Sequence, residues 1–82
     1  MQVLYFAWMR ERIGRGSEEI DPAGAVTARD LVERLRARSD AHALAFENLA
    51  AVRVAVDQEM GDLDTPLAGA REVAFFPPVT GG

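Results

Sequence analysis

The segment Gln2 to Trp8 is apolar at every position but its first and is rich in Val, Tyr, Phe and Trp. In so short a run that composition favours a strand over a helix, and both faces of the strand are then apolar. Val73-Ala74-Phe75-Phe76, near the other end, has the same character. With 82 residues in all there is room for one core and no second domain, since domains typically run to about 100 to 200 residues. Chains of this size bury only about 60% of the surface they expose unfolded, so little length is left for elaborate loops.

Between these two stretches the pattern alternates turn, helix and strand signals. Ile13-Gly14-Arg15-Gly16-Ser17 supplies turn residues, and Ser17 to Ile20 is expected to return as a second strand, making a hairpin with the first before Asp21-Pro22-Ala23-Gly24 breaks the pattern. Thr27 is a good N-cap with Asp30 three residues on, and Ala28, Leu31, Val32 and Leu35 recur at helical spacing, which predicts a helix from about Ala28 to Arg38. Arg29, Glu33, Arg34, Arg36 and Arg38 form its solvated outer face. Ala41 to Leu49 is helix-friendly for a further turn or two, with Asn48 as a stop. Ala51 to Asp57 alternates as a half-buried strand, Val52, Val54 and Val56 opposing Arg53 and Asp57, and Gln58-Glu59-Met60 adds a short edge strand. Gly61 to Arg71 reads as a loop anchored by Leu63 and Leu67. Glu72 to Phe76 is the last strand, ended by Pro77-Pro78 because proline cannot donate to a ladder.

The order is hairpin, helix, strand, loop, strand: an α+β chain in which one main helix covers one face of a four- to five-stranded sheet. A single helix shields a single face. The first and last strands therefore leave apolar side chains over, and an exposed apolar patch on a small domain marks a partner surface. Phe6, Trp8 and Phe76 are the candidates, with cover by a loop as the alternative.

Several kinds of chemistry are excluded. The chain has no cysteine, which removes disulfides, Cys-based zinc sites, a thiol nucleophile and a side-chain persulfide. Nine scattered Arg against thirteen acidic residues give a net charge of −4 and argue against nucleic acid as a partner. No apolar run approaches the roughly 20 residues of a membrane span, and the N-terminus lacks a signal-peptide layout, so a cytoplasmic, membrane-free protein is expected. There is no lysine and so no phosphate-binding Gly-rich Lys-Ser/Thr loop. The one histidine, His42, has no spaced Cys or carboxylate partner in the sequence, and Asp62 and Asp64 read as turn residues. No metal site is expected.

The last six residues, Pro77-Pro78-Val79-Thr80-Gly81-Gly82, carry the most information. The prolines fix an extended exit, and the glycines remove every Cβ near the terminal carboxylate. That is the shape of a thin probe whose tip can be activated and inserted into another protein's pocket. A bare Gly-Gly is equally the composition of a flexible end.

The longer run Phe75-Phe76-Pro77-Pro78-Val79-Thr80-Gly81-Gly82 resembles the terminal signature of the MoaD-type, ubiquitin-like sulfur carriers, the small subunits of molybdopterin synthases. Val3-Leu4-Tyr5-Phe6-Ala7 followed by Arg10-Glu11, and Thr65-Pro66-Leu67 before the last strand, are similar to the same family. One departure is Gly69-Ala70-Arg71-Glu72-Val73, where the glycine lies one position from its usual place, so a locally rearranged turn is expected. The resemblance implies a β-grasp domain over residues 1–76 and an extended tail over residues 77–82. It implies that an E1-like adenylyltransferase using ATP and magnesium activates Gly82, that a persulfide donor converts it to a thiocarboxylate, and that the sulfur is delivered to a cyclic pyranopterin on the large synthase subunit. Gly81 would thread with it, and Phe6, Arg10, Phe76, Pro77, Pro78, Val79 and Thr80 would meet the partners in a heterotetramer. The chain itself would bind no cofactor and have no active site of its own. A carrier for thiamine, cysteine or tRNA thiolation and a ubiquitin-like modifier or binding module are the alternatives.

Overall fold

The two stretches that are apolar on both faces lie side by side at the centre of one sheet. The computed structural model describes residues 1–78. Strands β1 (Gln2–Tyr5), β2 (Ser17–Glu19), β3 (Arg53–Val56), β4 (Glu59–Gly61) and β5 (Glu72–Phe76) form a five-stranded mixed sheet in the order β2-β1-β5-β3-β4. β1 and β5 run parallel and the other neighbours antiparallel. Helices α1 (Ala7–Ile13), α2 (Ala28–Arg36) and α3 (Asp40–Ala45) and a 3-10 turn (Leu49–Ala51) complete the β-grasp chain.

Register settles which parity faces inward. Val3 pairs with Val73, Tyr5 with Phe75 and Val54 with Phe75, and all of these are buried in one core with Met9, Leu31, Val32, Leu35 and Phe46 from the helical layer. α2 supplies its whole apolar stripe: Ala28, Leu31, Val32 and Leu35 are each fully buried. Its start is the predicted one. Thr27 accepts from the Asp30 backbone N–H while Asp30 accepts from the Thr27 backbone N–H, a reciprocal capping box. The Val26 and Thr27 backbone N–H groups, both donating to it, hold the exposed Asp30 carboxyl below its ordinary value. The loop after β4 is stitched to the same helix end, since the Ala28 and Arg29 N–H groups donate to the Thr65 and Leu63 carbonyls. Leu67 is buried and Leu63 packs against the core, both as expected.

Four sequence expectations are corrected. The opening strand does not reach Trp8. It ends at Tyr5, and residues 7–13 form α1, so β1 and β2 are joined by a helix rather than a tight hairpin. Met9 enters the core, Trp8 and Ile13 pack against it, and Gly14 closes the helix at φ 91°; the Met-Arg-Glu-Arg run is helix-forming throughout. The helical layer gains α1 beside α2 and the further helical turns expected after it, which form α3 and end at Ala45 rather than Leu49. α2 stops at Arg36, because its last turn tightens and the Arg38 N–H donates to the Leu35 carbonyl. Asn48 starts a 3-10 turn, its side chain accepting from the Ala50 N–H, rather than only stopping a helix.

Two turns resolve as glycine logic predicts or circumvents it. Gly69 takes the left-handed conformation (φ 76°) and the Ala70 N–H donates back to the Leu67 carbonyl, so the displaced glycine imposes no strain on Ala70. Asp57 and Gln58 both have positive φ (49° and 69°) at the two-residue β3–β4 turn, the geometry such hairpins demand. Asp57 is held there by accepting from the Arg71 and Glu72 N–H groups.

Candidate functional site

One face of the sheet packs on the helices; the other is assembled from the residues of opposite parity. Leu4 pairs with Ala74, Ala74 with Ala55, and Ala55 with Met60, giving an apolar row across β1, β5, β3 and β4. Phe76 continues it opposite Arg53. Leu4, Ala55 and Phe76 are half-buried, while Met60 is 69% exposed, the profile of a face bordered by solvent.

Phe6 stands at the corner of this face. Its N–H donates to the Phe75 carbonyl at 3.1 Å, carrying the β1–β5 pairing one residue beyond β1. Its ring is 48% exposed. Two of the three patch candidates, Phe6 and Phe76, are therefore brought together at the end of the central strand pair, where half-buried Pro77 and Pro78 leave the sheet. Trp8, the third, is half-buried on α1, packed against the core with the Arg12 guanidinium 4.8 Å over its ring. Arg10 is exposed on α1, and its side chain lies along Gly16, close enough that a Cβ there would stand 3.2 Å from its guanidinium. It belongs to the flank of α1, one helical turn from Phe6. Val79, Thr80, Gly81 and Gly82 lie outside the described residues.

Leu4, Ala55, Met60 and Arg53 belong to this surface and were not singled out in the sequence. Their signal is parity: Leu4 and Ala55 are in register with Ala74, Arg53 with Phe76 and Met60 with Ala55, but the sequence does not say which parity the helices cover. Ala74, at 8% exposure, is flanked on both sides by neighbouring strands and forms the floor of the row.

A second cluster lies under the opposite face. Glu18 occupies the one core-facing position of β2 and is 7% exposed. One carboxylate oxygen accepts from the Tyr5 hydroxyl at 2.7 Å and pairs with His42 Nε2 at 2.6 Å. The other faces Arg38 at 3.4 Å and Arg15 at 3.7 Å. His42 Nδ1 meets the Ser39 hydroxyl at 2.7 Å. Burial pushes the Glu18 carboxyl up, but the hydrogen bonds from His42 and Tyr5 outweigh it and hold it below its ordinary value. The Tyr5 hydroxyl is pushed far up, chiefly by burial and then by Glu18. His42 thus has a carboxylate partner after all, 24 residues away and invisible to local spacing. Every polar atom of the cluster is satisfied and its location is internal, so its role is to fix α3 and β2 to β1.

Among the described residues no group of three His, Cys, Asp or Glu side chains is placed to hold a metal ion, and no described helix is long and apolar enough to cross a membrane. Asp62 does turn work, accepting from the Asp64 N–H and donating its own N–H to Thr65.

The site is therefore an open apolar face beside the point where Pro77 and Pro78 leave the sheet. Residues 3–82 match the model of the ThiS family. The chain is 43% identical, over 82 residues, to the molybdopterin synthase sulfur carrier subunit of Escherichia coli (strain K12), covering 100% of this chain and 99% of that one. It is 39% identical over the same span to the protein of that name from Haemophilus influenzae, with 100% and 99% coverage. Among solved structures it is similar to small archaeal modifier protein 1 of H. volcanii, with TM-score 0.74, 27% identity and coverage of 96% of this chain and 97% of that one.

Proposed function

Because the chain belongs to the ThiS family, we propose that it is the sulfur carrier subunit of a molybdopterin synthase, with residues 1–76 as the docking body and 77–82 as the working arm. The observation that carries this reading is the match, along essentially the whole of both chains, to two sulfur carrier subunits. The open face with Phe6 and Phe76 beside the exit of Pro77-Pro78 supports it from the structure.

The chain's own contribution is to present a carboxylate without bulk. A carboxylate is a poor electrophile until one oxygen becomes a good leaving group. An E1-like adenylyltransferase supplies this by transferring AMP from magnesium-bound ATP to Gly82 and releasing pyrophosphate. A persulfide donor's outer sulfur then displaces AMP to give an acyl disulfide, and a thiol that attacks the donor-side sulfur supplies the two electrons, forming a disulfide with the donor and releasing the thiocarboxylate. With the open face seated on the large subunit, Val79, Thr80, Gly81 and Gly82 pass into the partner's pocket, the thiocarboxylate sulfur attacks a cyclic pyranopterin to form a thioester, and water cleaves the acyl–sulfur bond, leaving the sulfur on the pterin and Gly82 as a carboxylate; two deliveries build the dithiolene. Phe6 and Phe76 are the apolar anchors, Arg10 a rim contact on α1, and Pro77 and Pro78 set the direction of the arm. Large subunits pair through themselves, with one carrier at each end of the heterotetramer, in the cytoplasm where ATP is available.

The likeness to a small archaeal modifier protein favours one second reading, conjugation of Gly82 to a lysine of another protein. Reconstitution separates them. Thiocarboxylated protein, the large subunit and the cyclic pyranopterin are expected to yield dithiolene; failure to form it with fully thiocarboxylated protein rejects the synthase reading and leaves the modifier or another sulfur client.

A further inference from the structure

Two neighbouring residues break local rules at the same place. Phe6 is the N-cap of α1 and its side chain makes no cap hydrogen bond, although Ser, Thr, Asp and Asn are the residues that satisfy a helix start. Ala7, next to it, has φ 53°, a left-handed conformation in which the Cβ of an L-residue crowds the following carbonyl. Among the described residues, the other two non-glycine residues with positive φ, Asp57 and Gln58, are the two central residues of a hairpin turn that requires it. Ala7 sits in no hairpin. Each irregularity could be removed by a single common substitution, a capping residue at 6 or glycine at 7, and neither residue is held by the core: Phe6 is 48% exposed and Ala7 is exposed.

The surroundings show what the irregularity accomplishes. The Phe6 N–H is tied to the Phe75 carbonyl at 3.1 Å and its own carbonyl accepts from the Met9 N–H at 3.2 Å, while Tyr5 and Met9 on either side are buried at 1% and 0% exposure. The chain must leave the sheet and bring Met9 into the core within three residues. With a left-handed residue at position 7 it does so while the backbone of Phe6 stays in extended form (φ −125°, ψ 156°) and keeps the β1 pairing beside β5, with the residue 48% exposed. Local rule-breaking held in place by well-determined surroundings is the mark of a site set for function.

We propose that Ala7 is a positioning residue for partner docking: its left-handed backbone pre-organises Phe6 as a rigid apolar anchor, so that little ordering is needed on binding. This rests on the reading of the open face as the surface for the large subunit. It implies that position 7 accepts residues tolerant of positive φ and rejects β-branched ones, and that it acts through Phe6 alone.

A double-mutant cycle on binding of the full chain to the large subunit tests both statements. Phe6→Ala is expected to weaken binding by at least about tenfold, Ala7→Val by a similar factor, and the double variant no further than Phe6→Ala alone. Ala7→Asn is expected to bind like the parent. Additive losses, unchanged binding by Ala7→Val, or a loss with Ala7→Asn would each overturn the role of Ala7 while leaving the docking face intact. Parent-like binding by Phe6→Ala would instead overturn the docking reading itself and the positioning role with it. If Ala7→Val does not fold, Ala7→Thr, equally branched at Cβ but polar, carries the same cycle with the same expected outcomes.

Discussion

Phe75 and Phe76 are adjacent, chemically identical and opposite in environment. Phe75 is fully buried, stacked on Tyr5 at 6.5 Å between ring centroids and edge-on to Phe46 at 5.0 Å. Phe76 lies on the open face opposite Arg53, half-buried. The same division runs through β1, where Val3 and Tyr5 face the helices and Leu4 faces away. One strand pair thus has two faces by parity: its odd-numbered residues hold the domain together and its even-numbered ones, with Phe6, form the open face proposed above for docking. Stability and recognition are separable here because the strand period is two.

That separation can be broken in order of expected effect. Phe75→Ala removes a fully buried ring and is expected to cost about 3–5 kcal/mol, a large share of the roughly 5–15 kcal/mol available to a small domain; a denaturant midpoint close to the parent's would put Phe75 outside the core. Phe76→Arg is expected to reduce affinity for the large subunit about a hundredfold, or near 2.7 kcal/mol, while moving the unfolding free energy by no more than about 0.5 kcal/mol. Equal losses of binding and stability would show that Phe76 is a core residue.

Glu18→Gln probes the buried cluster that secures the helical side. Loss of hydrogen bonds to a buried charge is expected to cost about 2 kcal/mol at pH 7. The sign of the pH effect follows from the direction of the shift. The folded carboxyl lies below its ordinary value, so its contribution is fully present above the unfolded value of about 4.3 and is lost as pH falls through the lower folded value. The stability gap between parent and Glu18→Gln should therefore be flat from neutral pH to about 5 and close on further acidification; a gap that widens in acid would reverse the assignment. The smallest effect is expected at the start of α2, where Thr27→Ala removes half of the capping box for about 1 kcal/mol, with partner binding unchanged.

The sheet and main helix were legible because their signals are local. Thr27, Asp30 and the Ala28, Leu31, Val32, Leu35 stripe announce α2, alternation announces β3, and Pro77 ends β5. α1 was hidden because Phe6-Ala7-Trp8 continues the apolar, aromatic character of β1, and what diverts the chain is a backbone dihedral at Ala7 together with the burial of Met9 in the core. The Glu18–His42 pair was hidden for a different reason. Its partners are 24 positions apart and meet only after β2 and α3 have folded over β1. For the docking face, the sequence supplied the aromatic residues at 6 and 76 but not the parity, since both faces of both central strands are apolar; Leu4, Ala55 and Met60 join the surface only once the register is known.

The proposed mechanism puts sulfur on the terminal carboxyl carbon of Gly82. Intact mass spectrometry of the protein isolated from cells making molybdenum cofactor measures this directly. A population heavier by one oxygen-to-sulfur exchange, localised to Gly82 by fragmentation, is expected. A branched peptide joining Gly82 to a lysine, or a carboxylate that stays unmodified with the activating enzyme present, would contradict it.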